Sequence, residues 1–312
     1  MSGAGPAAPA RRVDDQVYSR AGGVDRLADV YLPEGEGPFP AVLFLHGGGW
    51  RFGDRRLAPD LARFFARRGY VAVSIDYRLS DEAVFPAGVS DVVTAIRWMK
   101  AHASDYRIDP ARIGLLGSSA GAHLAMLAGL APEQFASEEW QDQDGRVAAI
   151  VDGYGPVDFL AADAQKAAEP LPGTDPESAM LPPPMPATDP ESMESRFLGA
   201  PVSEVPEKVA AANPVTYAEG ASCPILILHG DCDAHVPPGQ SRLLFEALSA
   251  KGAEATLTQI GGLGHGFLNR NDLDDGGPRD VVVTTCDSPG EALRDKRLIW
   301  EEIHAFLKRS LR

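Results

Sequence analysis

Short apolar runs alternate along the chain with segments whose apolar residues recur at helical spacing. Ala41–Leu45 (AVLFL) is almost continuously apolar, as expected of a strand that is buried on both faces of a sheet. The alternation of such runs with amphipathic segments predicts a mostly parallel sheet. The predicted strands are Val13–Ser19, Leu27–Leu32, Ala41–Leu45, Tyr70–Ile75, Arg112–Leu116, Val147–Val151, Ile225–Leu228 and Ala255–Ile260, the first two of them at an edge.

The segments between these strands predict helices. Val92, Ile96 and Met99, for example, lie on one stripe of a helix over Val89–His102. The predicted helices are Leu57–Arg68, Val89–His102, Ala120–Leu130, Gln240–Lys251 and Glu291–Leu311. The pattern therefore predicts an α/β fold with a mostly parallel eight-stranded sheet and helices on both faces.

Two stretches interrupt the alternation. Phe159–Thr216 is long and proline-rich in its middle, which predicts an excursion from the sheet that caps a pocket. Asn269–Gly290 is polar and rich in Gly and Asp, which predicts a long loop. Met1–Arg12 is rich in Ala, Pro and Gly without an apolar run, so we expect a disordered tail and not a signal peptide. Residues 13–312 are then expected to form one domain with these two insertions.

Composition narrows the possible partners. The net charge is −15, and an acidic chain repels phosphate backbones and anionic lipid. Nucleic acid and membrane surfaces are therefore not expected as partners. No apolar run reaches the roughly 18–20 residues that a membrane span needs. The three cysteines, Cys223, Cys232 and Cys286, favour reduced thiols and a cytoplasmic location over a Cys223–Cys232 bridge.

The chemical centre of the sequence is Gly117-Ser118-Ser119-Ala120-Gly121, a G-x-S-x-G motif. It follows the RIGLL strand and precedes a helix. At such a sharp strand-to-helix turn the central serine is lifted clear of the backbone, and the flanking glycines let strand and helix approach closely. The motif predicts Ser119 as a nucleophile and leaves Ser118 as a bystander.

A nucleophilic serine needs a histidine base, and the base needs an acid to orient it. Two downstream turns follow strands and supply both in the order acid, then histidine. One contains Asp231 and Asp233, and the other contains His265. His265 is favoured over His235, which lies too close in sequence to the acid to bridge it to a distant serine. Three further histidines fall within predicted helices and are expected to be structural: His102, His123 and His304.

The tetrahedral intermediate of acyl transfer needs fixed hydrogen-bond donors. His46-Gly47-Gly48-Gly49-Trp50 follows the AVLFL strand, and glycines let backbone N–H groups converge on a small ligand. Gly48 and Gly49, together with the N–H of Ala120, are the predicted oxyanion hole. Trp50 is expected at the edge of the substrate pocket, and His46 is expected to brace the loop.

These motifs together resemble a known family. They are His46–Trp50, Asp76-Tyr77-Arg78-Leu79, Asp109–Ile113, Gly117–Gly121, the stretch His229–Pro237 and Gly264-His265-Gly266-Phe267, in this order. The chain resembles α/β-hydrolase carboxylesterases of the hormone-sensitive-lipase-like and feruloyl-esterase-like (BD-FAE-type) branch, over roughly Val24 to Phe267 and the final helix. The resemblance implies the α/β-hydrolase fold, the triad Ser119, Asp233 and His265, and no metal or organic cofactor.

The function expected from the motifs and the resemblance is hydrolysis of small-molecule carboxylic esters, with short- to medium-chain acyl or aryl groups, through an acyl-enzyme on Ser119. Cleavage of amides or formamides, as in arylformamidase-like relatives, uses the same triad and stays open. A non-catalytic ligand-binding protein on the same fold is a further alternative, although all three triad positions are filled. A monomer or a homodimer is expected. Departures from the family pattern are Ala122 and the two insertions.

Overall fold

The computed structural model describes residues 11–169, 171–174, 177, 181, 183–288 and 290–312. Within them, one sheet contains ten strands. They are β1 (Arg11–Ser19), β2 (Arg26–Leu32), β3 (Phe39–Leu45), β4 (Val71–Ile75), β5 (Ile108–Ser118), β6 (Ala149–Gly153), β7 (Ile225–Gly230), β8 (Ala255–Ile260), β9 (Arg279–Thr285) and β10 (Leu293–Arg297).

The order of strands across the sheet is β1-β2-β4-β3-β5-β6-β7-β8-β9-β10. Every neighbouring pair from β4 to β8 is parallel, whereas β1 and β2 at one edge and β9 and β10 at the other are antiparallel. The predicted α/β architecture is thus confirmed. The carboxyl ends of the parallel strands meet at one edge of the sheet, where open α/β sheets bind ligands.

Helices cover both faces of the sheet. They are α1 (Leu61–Phe64), α2 (Ala87–Ala101), α3 (Ala103–Tyr106), α4 (Ala120–Leu130), α5 (Phe159–Ala168), α6 (Met193–Leu198), α7 (Pro206–Ala212), α8 (Gly239–Ala250) and α9 (Ile299–Ser310). Side chains from α2, α4 and α8 fill one apolar core, and side chains from α1 and α9 fill the other. No helix in the described ranges is long and apolar enough to cross a bilayer.

The prediction of eight strands is wrong, because the expected polar loop 269–290 contains β9. Side chains of β9 (RDVVVTT) alternate between the two faces of the sheet, and Val281 and Val283 are buried in the core. The strand pairs antiparallel with β8, placing Val281 opposite Ile260. The exposed, charged strand β10 (LRDKR) then forms the edge, where charges oppose pairing with other chains. The sequence pattern did not predict β9, because the strand is short, only one of its faces is buried, and the residues around it are polar.

Three other predicted boundaries shift. β1 begins at Arg11, so the last two residues of the expected tail belong to the sheet, and residues 1–10 lie outside the described part. The expected helix Leu57–Arg68 is shortened to α1 and a 3-10 turn. The last helix begins at Ile299, where the side chain of Asp274 accepts hydrogen bonds from its first N–H groups. A contact distant in sequence therefore sets that helix start.

The described residues between β6 and β7 contain no strand. They form α5, α6 and α7 with 3-10 turns at Val202–Glu204 and Pro214–Gly220. The sequence Thr-Asp-Pro-Glu-Ser occurs twice in this segment, at Thr174–Ser178 and Thr188–Ser192, and the first copy falls largely outside the described residues. This segment leaves the sheet at the edge that carries the predicted site, which is where a cap is expected.

Candidate active site

Ser119 lies at a sharp turn between β5 and α4. Its backbone is in an unusual conformation (φ 54°, ψ −122°), and its N–H donates to the carbonyl of Gly153 at 2.8 Å. A Cβ at Gly121 would overlap the carbonyl oxygen of Leu45, and one at Gly117 would overlap the start of α4. The two glycines of the motif are thus required by close backbone approach, as the sequence predicts. The turn presents the Ser119 hydroxyl at the carboxyl edge of the sheet.

His265 connects Ser119 to Asp233. Its Nε2 lies 2.8 Å from Ser119 Oγ, and its Nδ1 lies 2.8 Å from Asp233 Oδ2. A neutral imidazole with its proton on Nδ1 would donate to the carboxylate and accept from the serine hydroxyl. The ring of Tyr154 packs edge-on against the imidazole, with ring centroids 5.0 Å apart. The structure therefore brings the three predicted residues into hydrogen-bond contact, in the arrangement that a nucleophile, base and acid need.

Asp233 is a buried carboxylate held by several donors. Its Oδ1 accepts the N–H groups of His235 and Val236, each at 2.9 Å. Burial opposes ionisation of Asp233, but the charge of His265 and hydrogen bonds from His229 and His265 outweigh it. Together they hold the pKa of Asp233 well below its usual range. The carboxylate is therefore ionised at neutral pH and can stabilise a protonated His265.

The alternatives for acid and base occupy other positions. Asp231 accepts the N–H of Gly262 at 2.8 Å and so braces the neighbouring loop. The ring of His235 lies 5.2 Å from that of His265, and the backbone N–H of His235 serves Asp233. In this geometry His265 contacts Ser119, and Asp233 contacts His265.

The glycine-rich loop after β3 runs beside Ser119. A Cβ at Gly47 would lie 3.3 Å from the Cβ of Ser119. Gly48 has a positive φ of 114°, and its carbonyl accepts the N–H groups of Arg51 and Phe52. Ala120 is the first residue of α4, so helix geometry leaves its N–H without an acceptor in the helix. The assignment of Gly48, Gly49 and Ala120 as oxyanion-hole donors stays a prediction.

His46 and Trp50 flank this loop in buried positions. His46 Nδ1 donates to the carbonyl of Gly47 at 2.7 Å, its ring stacks on Tyr77, and burial lowers its pKa. The Trp50 side chain is only 3% exposed and stacks on Phe197 of α6 at 4.5 Å. Trp50 thus packs between the loop and the segment that joins β6 to β7. Its contact with substrate stays a prediction.

Two residues of the segment between β6 and β7 contact the site directly. The side chain of Met193 lies against Gly49, where an added Cβ would be 2.8 Å from its Cγ. The Glu177 carboxylate accepts the N–H of Gly264 at 2.6 Å, next to His265, and pairs with Arg270 at 2.9 Å. The sequence does not identify either residue, because no local pattern shows which part of a long insertion folds back over a site.

Asp152, at the end of β6, is a second buried carboxyl group that the sequence does not mark. It is 1% exposed, and its Oδ1 accepts the N–H of Gly155 at 2.8 Å. Burial raises the pKa of Asp152 to about 6, against the opposing effects of that hydrogen bond and of His229. The folded protein thus keeps this proton up to about pH 6, whereas an unfolded chain releases it near pH 4.

This difference predicts a pH-dependent gain in stability on replacing Asp152. The folded state binds more protons between about pH 4 and about pH 6, so wild-type stability falls over that window, and the penalty persists above it. Asp152→Asn keeps the acceptor for Gly155 and removes the charge. We expect it to raise the free energy of unfolding by about 2 kcal/mol at pH 8 and by much less at pH 4.5. Urea denaturation at both pH values measures this.

The control is Asp60→Asn, which also keeps its acceptor for a backbone N–H, that of Arg63, but at the surface. We expect no comparable change between the two pH values for this variant. A stabilisation by Asp152→Asn that is equal at pH 4.5 and pH 8 would contradict the assignment of a buried, proton-binding carboxyl.

Among the described residues, no group of three or more His, Cys, Asp or Glu side chains is arranged to hold a metal ion. The three cysteines, all within the described ranges, form no disulfide, so the alternative Cys223–Cys232 bridge is not present.

A mostly parallel sheet with helices on both faces, a serine on a strained strand-to-helix turn, and an acid and a histidine after later strands define the α/β-hydrolase fold. Within that class, the chain belongs to the BD-FAE family, whose model matches residues 28–248. The model of the dienelactone hydrolase family also matches, over residues 197–310.

Individual relatives agree with this assignment. The probable carboxylic ester hydrolase LipM of Mycobacterium tuberculosis is 33% identical over 72% of this chain and 48% of LipM. The esterase LipQ of the same organism is 32% identical over 74% of this chain and 52% of LipQ. The chain thus spans about half the length of these curated relatives. Among solved structures, the Thermogutta terrifontis esterase Est2 with propionate bound is 27% identical, with a TM-score of 0.63, over 83% of this chain and 86% of Est2.

Proposed function

We propose that the protein is a serine esterase that cleaves small-molecule carboxylic esters through an acyl-enzyme on Ser119. The observation that carries this proposal is the continuous contact from Ser119 Oγ through His265 to Asp233, with 2.8 Å at each step. The family and the relatives named as esterases support the same substrate class.

The proposed mechanism follows from the hydrogen-bond contacts among Ser119, His265 and Asp233. His265 Nε2 takes the Ser119 proton as Oγ attacks the ester carbonyl, and the ionised Asp233 stabilises the resulting imidazolium. The oxyanion is bound by the N–H groups predicted at Gly48, Gly49 and Ala120. His265 then returns the proton to the leaving alcohol. In the second step it activates a water molecule that releases the acid and frees Ser119.

The reaction class is tested with two substrate panels. We expect turnover of p-nitrophenyl esters from acetate to laurate, with stoichiometric labelling of Ser119 by a fluorophosphonate probe. N-formyl aryl amines test the formamide alternative under the same conditions. Efficient formamide cleavage without ester turnover would overturn the ester assignment. Failure of both panels and of the labelling would favour the non-catalytic ligand-binding alternative.

We further propose a cytoplasmic protein that acts as a monomer or homodimer and does not bind nucleic acid. The absence of disulfides among its three cysteines is consistent with a reducing compartment. The net charge of −15 disfavours polyanionic partners.

A further inference from the structure

A second histidine contacts the acid of the candidate triad. His229 is at the end of β7 and fully buried. Its Nδ1 lies 2.6 Å from the hydroxyl oxygen of Ser241, and its Nε2 lies 2.9 Å from the carbonyl oxygen of Val236. The same Nε2 lies 3.3 Å from Asp233 Oδ2, the oxygen that also faces His265. His229 and His265 therefore face the same oxygen of the Asp233 carboxylate.

These contacts determine which ring nitrogen of a neutral His229 carries the proton. A carbonyl oxygen only accepts hydrogen bonds, so Nε2 must carry the proton that faces Val236. Nδ1 is then the acceptor for the Ser241 hydroxyl. The Nε2 proton is consequently shared between the Val236 carbonyl and Asp233 Oδ2. The tautomer is set by these contacts and not by the triad, so this donor is present before any reaction begins.

The carboxylate of Asp233 thus faces four donors. The N–H groups of His235 and Val236 hold Oδ1, while His265 and His229 share Oδ2. A carboxylate with both oxygens held cannot rotate away from the imidazole that it must orient. A second donor on Oδ2 also draws electron density away from the bond to His265, which weakens that bond.

We propose that His229 is a positioning residue for this site, which holds Asp233 Oδ2 towards His265 and moderates the strength of the Asp233–His265 hydrogen bond. The proposal rests on the proposed function, because it assigns His229 a role in the same reaction. The titratable groups around this carboxylate include His265, which shares Oδ2 with His229, and His235, whose ring lies beside His265. Asp152 on the neighbouring strand β6 interacts electrostatically with His229. A histidine needed only for packing would be satisfied by Ser241 and Val236 alone.

The test compares His229→Leu with His229→Gln. Glutamine can place an N–H donor near both acceptors, whereas leucine removes the donor and keeps an apolar side chain of similar bulk. In His229→Leu we expect kcat for a p-nitrophenyl ester to fall about 10- to 100-fold with KM little changed. We expect the acid limb of kcat/KM to move to higher pH, because Oδ2 without its second donor binds protonated His265 more tightly. His229→Gln should restore most of both properties.

A measurement that is independent of turnover accompanies the kinetics. The proton between His265 Nδ1 and Asp233 is observed as a low-field signal by proton NMR and is identified by its loss in His265→Asn. We expect the signal to move further downfield in His229→Leu, as the hydrogen bond strengthens, and to return towards the wild-type position in His229→Gln.

Each outcome decides the question. An unchanged signal and pH profile in a folded His229→Leu variant would overturn the proposal, as would equal loss of kcat in both variants. If His229→Leu does not fold, His229→Asn takes its place, because its shorter amide cannot reach Asp233. A wild-type protein that hydrolyses neither esters nor formamides would refute the proposed function, while the NMR comparison would still decide the role of His229.

Discussion

Ser119→Ala is expected to abolish ester turnover, with kcat reduced by about 10⁴- to 10⁶-fold. The hydroxyl is the only group of this side chain that can attack, and His265 Nε2 is its hydrogen-bond partner at 2.8 Å. Hydrolysis of p-nitrophenyl acetate and labelling by a fluorophosphonate, followed by mass spectrometry, measure the effect. Both should be lost together.

The fold should survive this substitution. Alanine at position 119 keeps the backbone at φ 54° without adding a branch at Cβ, so the strain of the turn is unchanged. Loss of one partly exposed hydrogen bond costs about 1 kcal/mol or less. The control is Ser118→Ala, which removes a neighbouring hydroxyl from a fully buried side chain and should keep turnover and labelling. Wild-type turnover by a folded Ser119→Ala variant would refute the assignment of Ser119 as the nucleophile.

The turn that carries Ser119 could be predicted from the sequence because its requirements are local. Gly117 and Gly121 are needed by contacts within one turn and with the adjacent strand β3, and these constraints leave a short motif. The histidine and acid follow from chain order and from their position after strands. In the structure His265 contacts both Ser119 and Asp233.

The features that were missed depend on residues distant in sequence. β9 forms because Val281 pairs against Ile260 at the sheet edge, and the polar residues around it conceal that burial. His229 is defined by Ser241 and by Asp233, which it meets only when the loop after β7 folds back. In the sequence Asp152 is an ordinary polar residue at the end of a predicted strand. Its burial is visible only in the folded structure. Local patterns therefore predict secondary-structure elements and motifs. The contacts that surround a site depend on how segments distant in sequence pack together.

Asp233→Asn is expected to lower kcat by about 10⁴-fold while leaving KM within a few fold. The carbonyl oxygen of the amide would stay where Oδ1 accepts the N–H groups of His235 and Val236. The NH₂ group would then replace Oδ2 and face His265 Nδ1 as a donor. His265 could pair with it only by moving its proton to Nε2, and that tautomer cannot accept the Ser119 proton.

Asp231→Asn is the matched control, because it separates the two acids that the sequence leaves as competitors. Its amide oxygen can still accept the N–H of Gly262, so we expect kcat within a few fold of the wild type. The ionised state of Asp233 at neutral pH, which follows from its strongly lowered pKa, is the property that asparagine cannot reproduce. If Asp231→Asn instead caused the larger loss of kcat, Asp233 would be reduced to a structural anchor of the loop. The bond of 2.8 Å to His265 would then not be the one that orients the base.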